Sequence, residues 1–90
     1  EPNFAQFPCL SLAFAAAKAG GTAPAILNAA NEVAVAAFLD DGLPYLSIPN
    51  VVEHCLNALP PIAADSLETI LQADALARQT ANQFIRAIQK

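Results

Sequence analysis

The chain has one histidine, and it stands next to a cysteine. His54 and Cys55 are the residue types of a general base and the nucleophile that it activates. On a helix, adjacent side chains point about 100° apart and do not converge on one atom. We therefore expect a surface histidine beside a core cysteine, with no Cys–His nucleophile and no metal site. Cys9 is far away in the sequence, so both thiols are predicted to be free.

Two other groups of residues resemble chemical sites. Asp40 and Asp41 are paired carboxylates, which we interpret as solvated surface charges at a helix end. Asp65-Ser66-Leu67 is the tripeptide that carries phosphopantetheine in acyl carrier proteins, but a serine before a helix is also an ordinary N-cap. Only 24 residues follow Ser66, so helix capping is the preferred interpretation. A carrier or independent interaction module, modified at Ser66, remains the alternative.

A polar island interrupts an otherwise apolar stretch at Asn28, Asn31 and Glu32. Asn28 and Glu32 are four residues apart and share one helix face, with Asn31 beside it. These three residues have no neighbours in the sequence of the kind that bind a metal ion or a phosphate, so a ligand site is weakly supported. We expect a structural polar motif in which Glu32 is largely buried and accepts a backbone N–H, because an unpaired buried carboxylate is costly.

Helical signals account for most of the chain, and no strand is predicted. The expected helices are one from Pro8 to the Gly20-Gly21 stop, one over 23–39 capped by Thr22, one from the Ser47 cap to Pro60-Pro61, and one that begins at Ser66. An unbroken last helix would place Asp74 on its apolar stripe, so we expect a break there. The helix over 23–39 is apolar all round, which predicts that it is central and buried on all sides. The predicted fold is an all-α, compact four-helix bundle.

Composition limits the partners. Hydrophobic residues make up 56% of the chain and charged residues 13%, which argues against disorder and suggests that part of the surface is normally covered. The net charge of -4 disfavours nucleic acid and anionic membranes. The apolar stretch over 23–39 is shorter than the roughly 20 residues of a membrane span. The chain has no methionine, so we expect a piece of a longer protein, with an irregular leading segment over 1–7 and a helical domain over 8–90.

Three motifs resemble a known family. They are Phe7–Leu10 (Phe-Pro-Cys-Leu), Gly20–Pro24 (Gly-Gly-Thr-Ala-Pro) and Asn28–Val35 (Asn-Ala-Ala-Asn-Glu-Val-Ala-Val). In this order and spacing they closely resemble the C-terminal domain of the 1-deoxy-D-xylulose 5-phosphate reductoisomerase family. Tyr45–Ile48 is similar to that family's next helix start, with Ser47 in place of the usual acid. The resemblance is strong over 7–39 and weaker beyond 50.

The resemblance implies a non-catalytic helical domain of a cytoplasmic bacterial enzyme of isoprenoid synthesis. That enzyme would use NADPH and a divalent metal, Mg or Mn, to convert 1-deoxy-D-xylulose 5-phosphate to 2-C-methyl-D-erythritol 4-phosphate. The implied partners are the catalytic and NADPH-binding domains of the same chain, in a homodimer. None of the family's catalytic motifs maps onto these residues. We therefore assign no catalytic, cofactor-binding or metal-binding residue here, and expect the 90 residues alone to be inactive.

Overall fold

Four α-helices and one short 3-10 helix form the part of the chain that the structure describes. The computed structural model describes residues 8–89, with side chains from residue 11 onward. The helices are α1 (Pro8–Ala19), α2 (Ala23–Asp40), α3 (Ile48–Ala58) and α4 (Leu67–Ile88), and a 3-10 turn over Tyr45–Ser47 leads into α3. No strand occurs over 8–89. The all-α four-helix prediction is confirmed, whereas the expected irregular segment over 1–7 lies outside the described residues.

Helix α2 is the centre of the bundle. It contacts α1, α3 and α4, as predicted. Thr22, at its beginning, bonds Ile62 just before α4, and the Asp41 carbonyl, at its end, accepts from Gln89. These pairs show that α2 and α4 run in the same direction. Helix α3 runs in the opposite direction and packs against both of them, and α1 packs antiparallel to α2.

Small side chains form the seam between α2 and α4. Ala29, Ala30 and Ala34 on α2 are fully buried, and so are Ala77 and Ala81 on α4. Because the distance between packed helices depends on the side chains at the contact, these alanines let the two helices lie close together. Ile26, Leu43, Val51 and Val52 supply the larger buried side chains.

The prediction that α2 is buried on all sides is wrong. One stripe of the helix is exposed, and its members recur at three- and four-residue spacing: Pro24, Asn28, Glu32, Ala36 and Leu39. Three neighbouring helices cannot enclose a fourth completely. The stripe therefore marks the open side of the bundle, and it contains two of the three polar residues of the island.

Two of the predicted N-caps do not act through their side chains. Thr22 and Ser47 precede α2 and α3 in helical backbone conformation, and neither hydroxyl caps the helix. Each helix has a proline in its first turn, which has no N–H to be satisfied. Ser66 is different, because its backbone is extended and its oxygen accepts the Thr69 N–H. The Ser66 cap is confirmed.

Helix α4 passes through Asp74 without a break, so the predicted interruption is wrong. Asp74 is only half-buried, and its carboxylate accepts from Arg78 one turn later. An acid with such a partner does not need to leave the helix. The buried face of α4 consists of Ala73, Ala77, Ala81 and Ile85, and Asp74 stands beside it.

The turn between α1 and α2 depends on two glycines with positive φ. Gly20 has φ 72° and Gly21 has φ 56°, as expected for a glycine helix stop. A β-carbon on Gly21 would lie 2.2 Å from the Ile62 carbonyl oxygen, whereas one on Gly20 would meet open space. The segment before α4 therefore passes directly against Gly21.

Candidate functional site

The polar island of α2 belongs to a network that joins α2 to α4. Asn28 Nδ2 donates to Glu32 Oε2 at 3.1 Å, and Arg78 Nη2 donates to Glu32 Oε1 at 3.0 Å. The same guanidinium reaches Asp74, with Nε 2.5 Å from Oδ1. The hydrogen bonds that Arg78 donates to Asp74 and, to a lesser extent, to Glu32 raise the pKa of Arg78 above its ordinary value. Both carboxylates are therefore engaged by one cation.

The prediction that Glu32 is largely buried and accepts a backbone N–H is wrong. Its side chain is 55% exposed, and its partners are the Asn28 and Arg78 side chains. Glu32 lies on the open stripe of α2, where α4 offers a guanidinium. No local sequence pattern indicates this pair, because Arg78 follows 46 residues later.

Asn31 is separated from the other two polar residues. It is half-buried, and with Ala13, Leu27 and Val52 it lines a cavity of about 190 Å³ between α1, α2 and α3. Asn28 and Glu32 meet α4 instead. The structure therefore does not bring Asn28, Asn31 and Glu32 together as one ligand site.

His54 and Cys55 point in different directions, as predicted. Cys55 is fully buried, its Sγ donates to the Ala77 carbonyl at 3.7 Å, and burial raises the pKa of the thiol to about 11. The exposed His54 ring stacks on Phe84 at a centroid distance of 4.2 Å and an angle of 16°. A protonated thiol held in the core is the opposite of an activated nucleophile. The His54–Phe84 contact was not predicted.

The Ser66 hydroxyl is engaged in helix capping. It accepts the Thr69 N–H at 3.1 Å and lies 3.0 Å from the Thr69 hydroxyl, which in turn donates to Asp65. Asp65 and Ser66 thus serve the first turn of α4. This is the capping chemistry that the sequence indicated.

Thr22 is a buried polar residue whose role sequence reasoning missed. Only 1% of it is exposed. Its N–H donates to the Ile62 carbonyl at 2.9 Å, and its hydroxyl oxygen accepts the Ile62 N–H at 3.0 Å. These two bonds fix the α3–α4 connection against the start of α2. The turn motif before α2 is thus a tertiary anchor.

Asp40 and Asp41 line an open groove between the C-terminal halves of α2 and α4. The groove has a volume of about 770 Å³, and Asp40, Asp41 and Arg86 are among its lining residues. Asp40 and Asp41 are both exposed, in agreement with their interpretation as surface charges. Over 8–89, no three His, Cys, Asp or Glu side chains are grouped so that they could hold a metal ion.

Over the described residues, no helix combines the length and the hydropathy that a membrane span requires.

Comparison with known proteins gives one consistent result. The family model for the DXP reductoisomerase C-terminal domain matches residues 1–80. The 1-deoxy-D-xylulose 5-phosphate reductoisomerase of Methylococcus capsulatus is 60% identical over 85 residues, which are 94% of this chain and 22% of that protein. The enzyme of the same name from Xanthomonas euvesicatoria is 64% identical over 78 residues, 87% of this chain and 20% of that protein.

The fold agrees with a solved structure. The 1-deoxy-D-xylulose 5-phosphate reductoisomerase of Zymomonas mobilis, in complex with NADPH, matches with a TM-score of 0.86 and 43% identity, over 92% of this chain and 22% of that chain. This chain thus spans about a fifth of the length of the relatives that it matches. With the motifs in register and the four-helix fold reproduced, the chain belongs to the DXP reductoisomerase C-terminal domain family.

Proposed function

We propose that residues 8–90 form the non-catalytic C-terminal domain of a complete 1-deoxy-D-xylulose 5-phosphate reductoisomerase. The observation that carries this proposal is the family match over 1–80, together with 60% identity to an enzyme of that name. The relatives are four to five times longer than this chain, because it covers 22% of the first of them. The other domains of the same polypeptide are therefore its first partners.

The complete protein would convert 1-deoxy-D-xylulose 5-phosphate and NADPH to 2-C-methyl-D-erythritol 4-phosphate. The NADPH complex of the Zymomonas mobilis relative supports the choice of cofactor. NADPH supplies the hydride for the reduction, and a divalent ion, Mg or Mn, supplies electrophilic stabilisation of the substrate oxygens. We place the enzyme in the bacterial cytoplasm as a homodimer, without a nucleic-acid or membrane partner.

The residues that the structure describes do not fit a metal site. A hard divalent cation needs several oxygen ligands that are free to bind it. Glu32 and Asp74 are instead held by Arg78, and Asp40 and Asp41 are neighbours on an exposed helix end. We propose that the metal and NADPH are both held by the parts of the complete protein outside this chain. No catalytic step is assigned to these residues.

Three polar residues, two of them in the family motifs, act as structural links in this proposal. Thr22 anchors the α3–α4 connection, Glu32 ties α2 to α4 through Arg78, and Ser66 caps α4. Each of these side chains makes its hydrogen bonds to other groups of the bundle. Their function is to hold the four helices in one arrangement that the rest of the enzyme can use.

The test is a kinetic comparison in the complete protein. The complete protein without substitutions, here called the parent, should oxidise NADPH only when 1-deoxy-D-xylulose 5-phosphate is present. The variants in which Asn28, Asn31 or Glu32 is replaced by alanine should retain this activity. We expect kcat and KM to stay within about threefold of the parent, since none of these residues touches the reacting atoms. A loss of about a hundredfold in kcat at unchanged thermal stability would contradict the structural role. A parent without this activity would contradict the proposed function.

A further inference from the structure

Apolar side chains are exposed together at the C-terminal end of α2. Phe38 and Tyr45 contact each other edge to face, with ring centroids 5.6 Å apart and planes at 64°. Leu39 and Leu46 follow them in sequence, and all four side chains are classed as exposed. We call these four residues the α2-end patch. Leu46, with 80% of its surface exposed, is its most open member.

Phe38 is exposed because α1 is too short to cover the end of α2. Helix α1 has 12 residues and α2 has 18, so their lengths are about 18 and 27 Å. The Gly20-Gly21 turn aligns the end of α1 with the beginning of α2. Helix α1 therefore begins about 9 Å, or six residues, before the end of α2.

Phe38 lies on the side of α2 that α1 would cover if it were longer. Ala13 of α1 meets Leu27 and Asn31 of α2 around one cavity, which identifies the α1-facing side. Phe38 follows Asn31 by seven residues, or two helical turns, and so shares that side. The patch forms a step next to the first residue of α1, Pro8.

We propose that the α2-end patch is the surface on which the preceding part of the same polypeptide packs in the complete protein. This inference rests on the proposed function. The family is a C-terminal domain and the chain covers 22% of its relatives, so most of the complete protein precedes these residues. That part joins the bundle through Pro8, next to the step. Phe38 and Tyr45, which touch each other and are both exposed, form the kind of apolar surface that is typical of such interfaces.

A second set of exposed leucines provides the comparison. Leu67 and Leu71 stand one turn apart in the first turns of α4. Their end of the bundle holds the beginning of α2 and the end of α1, opposite to the end where Pro8 and the patch lie. We expect these two leucines to stay exposed in the complete protein.

The experiment uses the complete protein, with its native cysteines replaced and one new cysteine introduced, either Leu46→Cys or Leu71→Cys. Each variant is labelled with a maleimide under native conditions and again in denaturant. In the bundle itself Leu46 is more exposed than Leu71, at 80% against 59%. Without the proposed contact, the cysteine at position 46 should react at least as fast.

We expect the reverse order, with the position 46 cysteine reacting about tenfold more slowly than the position 71 cysteine in the native protein and equally fast in denaturant. Equal native rates, or protection at position 71 instead, would overturn the proposal. The assay of NADPH oxidation on the same variants tests the proposed function separately. If the enzyme is active but the cysteine at position 46 reacts fast, the docking surface is refuted and the proposed function is not. If the complete protein without substitutions is inactive, the proposed function is refuted.

A second substitution keeps the test independent of labelling chemistry. Leu46→Arg would place a charge in the proposed interface, whereas Leu71→Arg would add one to solvent. The thermal midpoint of the complete protein should fall for Leu46→Arg and stay close to the parent for Leu71→Arg. Equal midpoints for the two variants would contradict the proposal.

Discussion

Arg78 on α4 lies with its Nη2 3.0 Å from Glu32 Oε1 on α2, and this one cation also holds Asp74. The two acids come from different helices, so the guanidinium links them laterally across the open side of the bundle. Because Glu32 is 55% exposed and the Arg78 side chain 39% exposed, water and salt screen the interaction. We therefore expect the pair to contribute more to the alignment of α2 with α4 than to the free energy of unfolding.

Replacing Glu32 with glutamine should therefore have a small, salt-dependent effect. The loss in unfolding free energy should be greatest at low ionic strength and should fade as salt is added, because the charges are screened. Urea unfolding of the parent and of Glu32→Gln at several salt concentrations measures it, with Glu53→Gln on the exposed side of α3 as the control. A large loss that salt leaves unchanged would show a buried role for Glu32.

Thr22→Val should destabilise the bundle more than loss of the surface ion pair does. Valine keeps the shape but removes the oxygen that accepts the Ile62 N–H at 3.0 Å. Leaving a partly buried N–H without a partner costs about 1–3 kcal/mol. Thr22→Ser, which keeps the hydroxyl, should lose less. Denaturant unfolding of both variants measures the loss in unfolding free energy. Equal losses would show that the methyl group of Thr22 matters as much as its hydroxyl.

Gly21→Ala should be far more harmful than Gly20→Ala. Both glycines have positive φ, so alanine at either position carries a conformational cost of about 1–2 kcal/mol. At position 21 the new β-carbon would also lie 2.2 Å from the Ile62 carbonyl oxygen, whereas at position 20 it meets open space. Thermal unfolding should place Gly21→Ala clearly below Gly20→Ala. Similar midpoints would mean that the α3–α4 connection can move away at little cost.

The buried Cys55 thiol should make stability depend on pH in the alkaline range. Its pKa in the folded chain is about 11, above the ordinary 9.0, because burial disfavours the thiolate. The neutral thiol therefore stabilises the fold fully below about pH 9, and this contribution is lost as pH rises towards 11. The difference in unfolding free energy between the parent and Cys55→Ala should shrink over that window. A difference in unfolding free energy that does not change with pH would contradict the burial of the Cys55 thiol.

The sequence predicted the helices well because their signals are local. Gly20-Gly21, Pro60-Pro61 and the Ser66 cap act over one or two turns, and all of them end or begin helices in the structure. The errors at Glu32 and Asp74 have different causes. Glu32 pairs with Arg78, which follows 46 residues later, and no local pattern indicates that contact. Asp74 remains helical beside Arg78, an i,i+4 pair on the same helix that can be read from the sequence.

The polar island of α2 shows the same distinction between local and long-range contacts. Helical spacing correctly placed Asn28 and Glu32 on one face, but it could not say whether that face was covered. That depended on where α1, α3 and α4 lie around α2. The role of Thr22 was missed for the same reason, since its partner Ile62 is 40 residues away.

We propose that this chain is a folded, non-catalytic domain of a reductoisomerase. The most direct measurement follows NADPH oxidation in the presence of 1-deoxy-D-xylulose 5-phosphate and Mg²⁺, with the purified 90-residue chain and the complete protein side by side. Circular dichroism first establishes that the short chain is helical and unfolds cooperatively. We expect substrate-dependent oxidation of NADPH by the complete protein and none by the folded chain. Oxidation by the folded chain alone, or none by the complete protein, would contradict it.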